Sequence, residues 1–435
     1  MPQDRDVPKI PAELKVLITA TFLIAIGFGI VAPILPLYAE SFGVGAFAVS
    51  AVVSSFGLAR LLFAPVSGKV TSRFGEPYVY TTGVTIVALS MFLVALAQTY
   101  PQLLIFRGLG GIGSTLFTVS AMSYLARKSP PTIRGRISGA YASSFLLGNI
   151  FGPIVGGALA GLGPRAPFII YGCSLVVAAS VVFFTLTGVG RSKTHRPAPD
   201  DRPAMKLRQA LNNSSYRATL TSFFANGWSA FGVRNSVTPL FAASAFAGMT
   251  FFLDGPQTAA VGLSLFAVGN VIAVTFSSRL SDRIGRKPLI VCGLFIAGVT
   301  TGVLGVFVNP WLFLALNTIA GAGTGLLNAP QQAAIIDIVG QDKKAGTVMA
   351  TAQMASDVGG IAGPLLVGFI VDVAGYAWGF GLTGVILVTA ALVWTFSPET
   401  NVPITPGGPR TGSLPKVDPT QSEATVTFRH DSDAG

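Results

Sequence analysis

The stretch SRLSDRIGRKP, residues 278–288, is a short basic segment between two long apolar runs. A related stretch, GKVTSRFGEP at residues 68–77, stands 210 positions earlier and also joins two apolar runs. Four ordered matches of this kind predict two copies of one ancestral unit, an arrangement that places a binding site between the copies. The other three pairs are 29–36 with 232–239, 106–114 with 316–324, and 148–157 with 359–368.

The apolar residues are gathered in twelve long runs. A helix needs roughly 20 apolar residues to cross the hydrocarbon core of a bilayer, and each run reaches about that length. We therefore predict an all-α membrane protein with twelve transmembrane helices in two pseudo-symmetric six-helix bundles. The predicted spans are 16–38, 47–68, 78–98, 101–126, 137–160, 167–187, 218–242, 257–280, 288–308, 311–336, 347–371 and 377–397.

The composition excludes the ordinary classes of soluble protein. Of the 435 residues, 51% are hydrophobic and 11% are charged, whereas soluble domains carry about 25% charged residues. The net charge is +11, yet 25 of the 29 Lys and Arg residues fall on one side of the predicted membrane. This asymmetry predicts that both termini are cytoplasmic, with a basic surface against the lipid bilayer and no nucleic-acid partner.

Cysteine and histidine are too few to build a disulfide framework or a metal centre. Cys173 and Cys292 lie far apart within apolar runs, and His195 and His430 lie in polar stretches. The G-x-x-x-x-G-K-[ST] loop of nucleotide-driven pumps is also missing from the sequence. We expect no metal, no cofactor and no enzymatic activity.

Two polar segments divide the chain. Residues 188–217 are basic and contain proline, and they predict a cytoplasmic linker with a surface helix near 204–212. Residues 398–435 are rich in Pro, Gly, Thr and Ser, a composition typical of disorder. The predicted domains are an N-terminal six-helix bundle at 1–187, the linker at 188–217, a C-terminal six-helix bundle at 218–397 and a disordered cytoplasmic tail at 398–435.

Residues 279–287 resemble the loop signature G-x-L-x-D-R-x-G-R-K of the major facilitator superfamily, with Ser278 at the first glycine. The counterpart in the first half is degenerate, because Ser72 replaces the acid and Glu76-Pro77 replace the basic pair. The resemblance covers residues 16–397. It implies a secondary active transporter that handles a small-molecule substrate and protons, and that works as a monomer in the cell membrane.

In this family the loop acts as a latch that is broken and remade during transport. Glycine permits the tight turn, a carboxylate caps a helix N-terminus, and cations hold partner carboxylates. The resemblance pairs Asp337 with Arg283, and it implies that the first half has lost both latch acids, at Ser72 and Arg127. The expected latch residues are Gly68, Arg73, Gly75, Asp282, Arg283, Gly285, Arg286 and Asp337.

The fifth span carries small residues four positions apart, which let helix backbones approach closely. A tight packing face is one interpretation. The pattern is also similar to the g-x-x-x-G-P-x-x-G-G motif of the family's antiporters, which implies export, and the first span resembles the twelve-helix drug/proton antiporter branch. The motif residues are Gly148, Gly152, Pro153, Gly156 and Gly157, with Gly363 and Pro364 as counterparts in the eleventh span.

Charged residues inside a membrane are costly and indicate function by default. Asp357 lies near the middle of the eleventh span, and Arg107 lies in the fourth. We expect Asp357 to bind the coupling proton, and the family's fourth-helix arginine motif implies proton or substrate handling for Arg107. The alternatives are a structural ion pair or a capped hydrogen bond at the interface of the eleventh span for Asp357, and an interfacial position for Arg107.

Each charge within the membrane occurs in one half only, so chemistry or a pair between the halves is the natural reason for it. We expect a structural partner for Arg60. We expect Arg234, which precedes Thr238-Pro239 in a broken helix, to face the cavity. Three arginines against one aspartate predict a neutral or anionic, amphiphilic substrate. The expected cavity residues are Arg107, Arg234, Asn317, Phe28 and Phe231.

These features predict a proton-coupled antiporter that exports drugs or other small amphiphilic molecules by rocking two bundles around a midplane cavity. Two alternatives stay open: a proton-coupled uptake carrier for a sugar or an organic anion, and a lipid or glycolipid exporter. A receptor or scaffold without transport is disfavoured, because it needs neither a duplicated latch nor buried charges.

Overall fold

The computed structural model describes residues 10–129, 133–188, 203, 205–248, 254–340, 343 and 345–401. These residues belong to one compact unit that ends at Asn401, and nearly all of them are helical. The helices are α1 (Ala12–Glu40), α2 (Ala46–Phe74), α3 (Glu76–Leu96), α4 (Tyr100–Lys128), α5 (Arg134–Leu159), α6 (Ala166–Gly188), α7 (Leu207–Leu211), α8 (Ser214–Asn226), α9 (Arg234–Ala245), α10 (Gly255–Ile284), α11 (Arg286–Gly302), α12 (Pro310–Val339), α13 (Gly346–Ala374) and α14 (Tyr376–Thr395). A 3₁₀ turn (Ala160–Leu162) follows α5, and a π-segment (Gly227–Val233) joins α8 to α9.

Ten helices in the described part of the chain are long and apolar enough to cross a bilayer. They are α1–α6, α10, α12, α13 and α14, and each coincides with a predicted span. The seventh and ninth predicted spans are also helical, but both differ from the uninterrupted helix that the sequence predicts. The all-α membrane fold is therefore as predicted, with ten of the twelve spans meeting this criterion.

The seventh span is distorted at a different place from the one the sequence indicates. Pro239 lies inside α9 without ending it, and the distortion is the π-segment before Arg234. The backbone of α13 is the local reason, because a Cβ on Gly227 would lie 1.9 Å from the Ser356 carbonyl oxygen. Such π-turns are frequent at functional sites.

The ninth span is shorter than predicted. α11 ends at Gly302 instead of continuing to residue 308, and a turn covers residues 303–306. Gly305 packs against the start of α14, where a Cβ would lie 2.7 Å from the Tyr376 carbonyl oxygen. Asn309 then caps α12 by accepting the Leu312 amide at 3.1 Å, so the chain cannot remain helical across this point.

The described part of the predicted linker contains the five-residue helix α7, inside the predicted range 204–212. The next helix, α8, begins at Ser214, four residues before the predicted start of the seventh span, because Asn213 caps it by accepting the Ser215 amide at 2.9 Å. Half of the predicted linker and nearly all of the predicted disordered tail lie outside the described residues.

In the first half, α5 packs on α1 through the small residues that the sequence singles out. A Cβ on Gly148 would lie 2.4 Å from the Ala25 Cβ, and one on Gly152 would lie 2.5 Å from the Ile26 carbonyl oxygen. Gly156 is equally close to the backbone of Ile30. The motif is therefore a tight packing face; its link to export stays a prediction.

The second half repeats this contact between α13 and the seventh span. A Cβ on Gly363 would lie 2.8 Å from the Trp228 carbonyl oxygen, and the Pro364 ring packs on Gly232. In both halves a Gly-Pro pair thus lies against the helix that begins the repeat. Gly157 differs from its neighbours in the motif, since it faces Ala260 of α10 in the other half.

The two halves meet along the first part of α2, which is covered by the last part of α13. The Ser54 hydroxyl donates to the Ile361 carbonyl at 2.9 Å, and the Asp372 carboxylate accepts the Ala46 and Phe47 amides at 2.7 and 2.9 Å. A carboxylate of one half therefore caps a helix of the other. Beyond residue 61, by contrast, α2 is largely exposed. The halves are closed against each other at the end where α2 begins.

Replacing Gly152 by Ala is expected to lower the stability of the protein. The new methyl group would lie 2.5 Å from a backbone oxygen of α1, so α1 and α5 must separate. Overpacking of this kind costs about 1–3 kcal/mol. Thermal unfolding of the purified protein in detergent measures the change.

Gly139→Ala is the matched control, because Gly139 lies on the same helix and a Cβ there meets no atom within 4 Å. This variant should be neutral or slightly more stable, since alanine favours helix by up to about 1 kcal/mol over glycine. Equal unfolding temperatures for the two variants would contradict the packing role of Gly152.

Candidate functional site

A cavity of about 420 Å³ lies between the two halves. Its wall takes residues from α1 to α6 of the first half and from α8, the π-segment, α9, α10 and α12 of the second. A second pocket of about 300 Å³ adjoins it, shares part of this wall and adds residues of α13. We call the two pockets together the central cavity. Each has a volume near the ~300–1,000 Å³ that small-molecule sites occupy.

Aromatic side chains enter the central cavity from both halves. Phe28 of α1 and Phe231 of the π-segment line both pockets and stand 203 positions apart, at equivalent places in the repeat. Trp228 lies outside this wall, because it is buried in the second half and donates its Nε1 hydrogen to the Thr383 hydroxyl at 3.2 Å. The cavity therefore has an apolar, aromatic surface beside its charges.

Arg107 lies in the cavity wall with 5% of its surface exposed. Its guanidinium group lies over the Phe56 ring, 4.2 Å from the ring centroid. It makes no hydrogen bond or ion pair with the described side chains, and its Nε is buried without a partner among them. It is thus a buried cation in the cavity wall that is held by an aromatic face.

Arg60 has the structural partner that the sequence predicts, and it also lines both pockets. Its Nη1 donates to the Ser114 hydroxyl of α4 at 3.1 Å, and its guanidinium group lies 6.0 Å from the centroid of the same Phe56 ring. The Phe56 ring is therefore close to two guanidinium groups, that of Arg60 on α2 and that of Arg107 on α4.

Arg234 lines the cavity as predicted, but Asn317 does not. Asn317 is fully buried, and its side-chain oxygen accepts a hydrogen bond from Arg234 Nη1. The expectation that Asn317 faces the cavity is wrong, because the guanidinium group of Arg234 covers it. Thr301 accepts a second bond from Arg234 at 3.3 Å, and the Phe266 ring centroid lies 3.8 Å from the guanidinium carbon.

Asp357 is half-buried in the second pocket. Gln353, one turn earlier on α13, donates to its carboxylate at 3.3 Å. Arg60 and Asp357 interact electrostatically across the cavity, but no cation of the described residues lies within ion-pair distance of this carboxylate. The described residues therefore contain no structural ion pair at Asp357, whereas the bond from Gln353 keeps the hydrogen-bonded alternative open.

The central cavity is positively charged. Three arginines line it, and Asp357 is the one carboxylate that the described wall contains, which leaves two positive charges in excess. The described residues also bring no three His, Cys, Asp or Glu side chains together. The chemistry of this cavity is that of arginine, one carboxylate and aromatic rings.

A second cluster of charges lies at the end of the bundle that carries the turns at Gly75 and Gly285, which we call the basic end. Both glycines have positive φ, +88° and +99°, so the predicted turn positions are right. Arg286, at the start of α11, donates from Nε to Asp337 at 3.1 Å and from Nη1 to Asp282. The predicted pairing of Asp337 with Arg283 is wrong, because Arg283 lies exposed in the last turn of α10.

The first half keeps the same ion pair with its signs exchanged. Arg127 of α4 pairs with Glu76 of α3, and these residues stand 210 positions before Asp337 and Arg286. The first half thus lacks the acids at positions 72 and 127, as the sequence indicates, but it keeps an ion pair here because Glu76 supplies the acid. The exchange of acid and base hides the pair from a motif comparison. The other two predicted residues contribute differently: Arg73 lies over the Phe74 ring, and Gly68 lies inside α2 in open space.

Glu399 is a residue of this network that the sequence analysis missed. It follows α14 and accepts the backbone amides of Arg286 and Lys287 at 2.9 and 3.0 Å, so it caps α11. It also accepts the amides of Thr400 and Asn401. Burial raises the pKa of Glu399, but these four backbone hydrogen bonds outweigh it and hold the pKa below its ordinary value of 4.5. The only indication of this capping role in the sequence is that an acidic residue directly follows the last span.

Comparison with known proteins decides the family. The sequence matches the Major Facilitator Superfamily over residues 17–262 and 245–430. The chain belongs to this superfamily.

Several bacterial members of the superfamily are similar to the chain over most of its length. Multidrug resistance protein 2 of Bacillus subtilis is 24% identical over 366 residues, covering 82% of this chain and 88% of the relative. The class B tetracycline resistance protein of Escherichia coli is 25% identical over 411 residues, covering 89% and 97%. The chain is thus a multi-pass membrane transport protein and not an enzyme.

Solved structures support the major facilitator fold. A bacterial homologue of the human lysosomal transporter Spinster, in an inward-facing and unoccupied conformation, superposes with a TM-score of 0.71 at 17% identity and covers 88% of this chain and 95% of its own. An auto-inhibited peptide transporter of the POT family superposes with a TM-score of 0.70 at 16% identity, covering 88% and 96%.

The exchanged ion pair predicts that reversing one charge lowers the stability of the protein and that reversing both charges restores it. Glu76→Arg places a cation against Arg127 and should destabilise the first half by about 1 kcal/mol, the upper range for exposed pairs. Adding Arg127→Asp gives the first half the signs of the second half and should recover most of this loss. Thermal unfolding of the single and double variants measures the coupling between the two sites.

Arg136→Asp is the matched control for loss of a basic residue near this end, since Arg136 is exposed on α5. Combined with Glu76→Arg it should recover nothing. If Arg127→Asp recovers no more than this control, the pair makes no contribution to stability.

The hydrogen bonds of Glu399 predict a dependence of stability on pH. Because the pKa of Glu399 is lowered on folding, its contribution is complete above its ordinary value of 4.5 and disappears as the pH falls through the lower folded value. Glu399→Gln should therefore be less stable than wild type near pH 7, by about the 1 kcal/mol of a helix cap. The difference should shrink below pH 4.5.

Thermal unfolding between pH 3 and 7, on the order of the range over which a carboxylate titrates, checks this. Thr400→Val is the control, because it keeps the backbone amide that donates to Glu399. A Glu399→Gln difference that is the same at both ends of the pH range would rule out the capping role.

Proposed function

We propose that the chain is a proton-coupled antiporter that exports small amphiphilic molecules by alternating access. Asp357 binds the coupling proton, Arg107 and Arg60 share the cavity with it, and the substrate occupies the aromatic part of the same cavity. Relatives named for multidrug and tetracycline resistance support this proposal.

The observation that carries the proposal is the position of Asp357. An ionisable group inside a membrane protein is costly, and such groups usually face a cavity and mark a substrate pathway or a proton relay. Asp357 lines the central cavity and has no ion-pair partner within the described residues, and both observations support its use as the proton-binding group. Proton binding at this carboxylate removes its attraction to Arg60, and that change links protonation to the charge of the cavity.

The arrangement of the halves supports alternating access. The halves are closed at the end where α2 begins, through Asp372 and the contact of Ser54 with α13. Rocking about the central cavity opens this end and brings the two basic-end clusters, each internal to one half, toward the facing half. In this proposal the chain works as a monomer in the cell membrane, with both termini and the basic end in the cytoplasm and no nucleic-acid partner.

A second candidate is proton-coupled uptake of an organic anion, and the charge of the cavity favours it. Protonation of Asp357 makes a cavity with three arginines more positive, so a proton and an anion strengthen each other's binding. A proton and an anion that strengthen each other's binding are carried across the membrane in the same direction. The direction of proton movement therefore separates the two candidates.

The test uses proteoliposomes that are loaded with a probe and diluted into probe-free medium, with a pH-sensitive dye in the lumen. Ethidium, tetracycline and naphthalene-2-sulfonate serve as probes. Antiport predicts that the lumen acidifies as the probe leaves, whereas symport predicts that it becomes alkaline. Asp357→Asn should abolish the pH response while exchange of the probe across the membrane continues.

Asp254→Asn is the matched control, because Asp254 is an exposed N-cap of α10 at which asparagine is an equally good cap. It should keep the full pH response. A full response from Asp357→Asn would place the coupling site elsewhere, and no probe movement with any of the three compounds would contradict the proposed substrate class.

A further inference from the structure

The central cavity contains two guanidinium–phenyl pairs, one in each half. In the first half Arg107 of α4 lies over Phe56 of α2, with 4.2 Å between the guanidinium carbon and the ring centroid. In the second half Arg234 of α9 lies over Phe266 of α10, with a corresponding distance of 3.8 Å. All four side chains line the same cavity of about 420 Å³.

The two pairs are related by the repeat, although their arginines are not. Phe56 and Phe266 stand 210 positions apart, at equivalent places of α2 and α10. The position equivalent to Arg107 is Asn317, which carries no charge but accepts a hydrogen bond from Arg234. The second half therefore recreates the pair with an arginine from a different helix, and duplication alone does not explain why both halves have one.

Both arginines are cations without a counter-charge in this part of the cavity. Arg107 and Arg234 are 5% and 3% exposed, and the Nε of each is buried without a hydrogen-bond partner among the described residues. The wall of the 420 Å³ pocket contains three arginines and no acidic residue among the described positions. A buried guanidinium group loses several kcal/mol of hydration unless an anion replaces the water.

We propose that the two guanidinium–phenyl pairs form a binding site for one anionic group, a carboxylate, sulfonate or phosphate, on an amphiphilic ligand. Arg107 binds the anion from the first half and Arg234 binds it from the second, while the ligand's apolar body lies against Phe28 and Phe231. Arginine suits this role because its planar donors match two anion oxygens while its face stacks on a ring. The inference rests on the proposed function in taking the central cavity as the substrate site, and it holds for either direction of transport.

Asn317 has a defined part in this site. Its amide oxygen orients Arg234 without neutralising it, and Thr301 supplies a second neutral acceptor at 3.3 Å. A carboxylate at position 317 would hold Arg234 at least as firmly and cancel its charge. Asn317→Asp is therefore a variant in which the arginine stays in place while its availability to an anion is lost.

The experiment measures binding of two matched probes to the purified full chain in nanodiscs of uncharged phosphatidylcholine. The probes are naphthalene-2-sulfonate and (2-naphthylmethyl)trimethylammonium, which share an aromatic body and differ in the sign of a permanent charge. Equilibrium dialysis against empty nanodiscs removes the contribution of the lipid. The sulfonate should bind at least about tenfold more tightly than the ammonium compound, the difference that one charge-assisted hydrogen bond makes.

Arg107→Gln, Arg234→Gln and Asn317→Asp should each weaken binding of the sulfonate by about tenfold or more. Arg165→Gln, which removes an exposed arginine outside the cavity, should leave it unchanged. Because Asn317→Asp keeps a partner for Arg234, it tests the site even if the arginine variants fail to fold, and thermal unfolding reports which variants are folded.

Tighter binding of the ammonium compound, or wild-type affinity for the sulfonate in a folded Asn317→Asp protein, would overturn the inference. The proteoliposome assay separates this failure from that of the proposed function. With the ammonium compound added as a fourth probe in that assay, preferred transport of this compound leaves transport standing and overturns the anion site. Binding of the sulfonate as predicted, without movement of any probe, supports the anion site and contradicts the proposed function.

Discussion

Close contact between helix backbones at glycine is the constraint on which the rest of the structure depends. Helices in lipid gain little from burying apolar surface against one another, so their association relies on close packing. A Cβ on Gly111 would lie 2.3 Å from the Phe56 carbonyl oxygen, and one on Gly321 would lie 2.0 Å from that of Phe266. These two contacts hold α4 on α2 and α12 on α10. They bring the Phe56 ring beside Arg107, and they set the Asn317 amide beside Phe266, where Arg234 reaches it.

The duplicated fold carries charges that are not duplicated position by position. At the basic end the same contact exists twice, as Asp337 with Arg286 and as Arg127 with Glu76, with acid and base exchanged. In the cavity the second half replaces the arginine of α4 by an asparagine and takes its guanidinium group from α9. At packing positions the two halves thus have the same residue, whereas at charged positions they have the same contact made by different residues. A Coulomb interaction depends on the product of two charges, so acid and base can exchange places without changing it.

Sequence patterns predict those features that depend on one residue and its own backbone. The turn at Gly285 and ten of the twelve apolar spans are of this kind, and each lies where it was predicted. Features that depend on a partner distant in the chain are not predictable in this way. Arg283 and Arg286 are two arginines of the same short segment, so the sequence does not distinguish them. Arg286 reaches Asp337 because it lies at the start of α11. Glu399 caps α11 from 112 residues away, and Asn317 is hidden by a side chain of another helix.

The cap of α2 by Asp372 has a consequence for the resting state of the protein. The carboxylate belongs to one half and the two amides to the other, so every motion that parts the halves at this end breaks both hydrogen bonds. A helix cap contributes about 1 kcal/mol, which corresponds to about a fivefold change in the ratio of two conformers. If the protein alternates between two conformations as proposed, this single aspartate, away from the central cavity, biases how long the unoccupied protein stays in each of them.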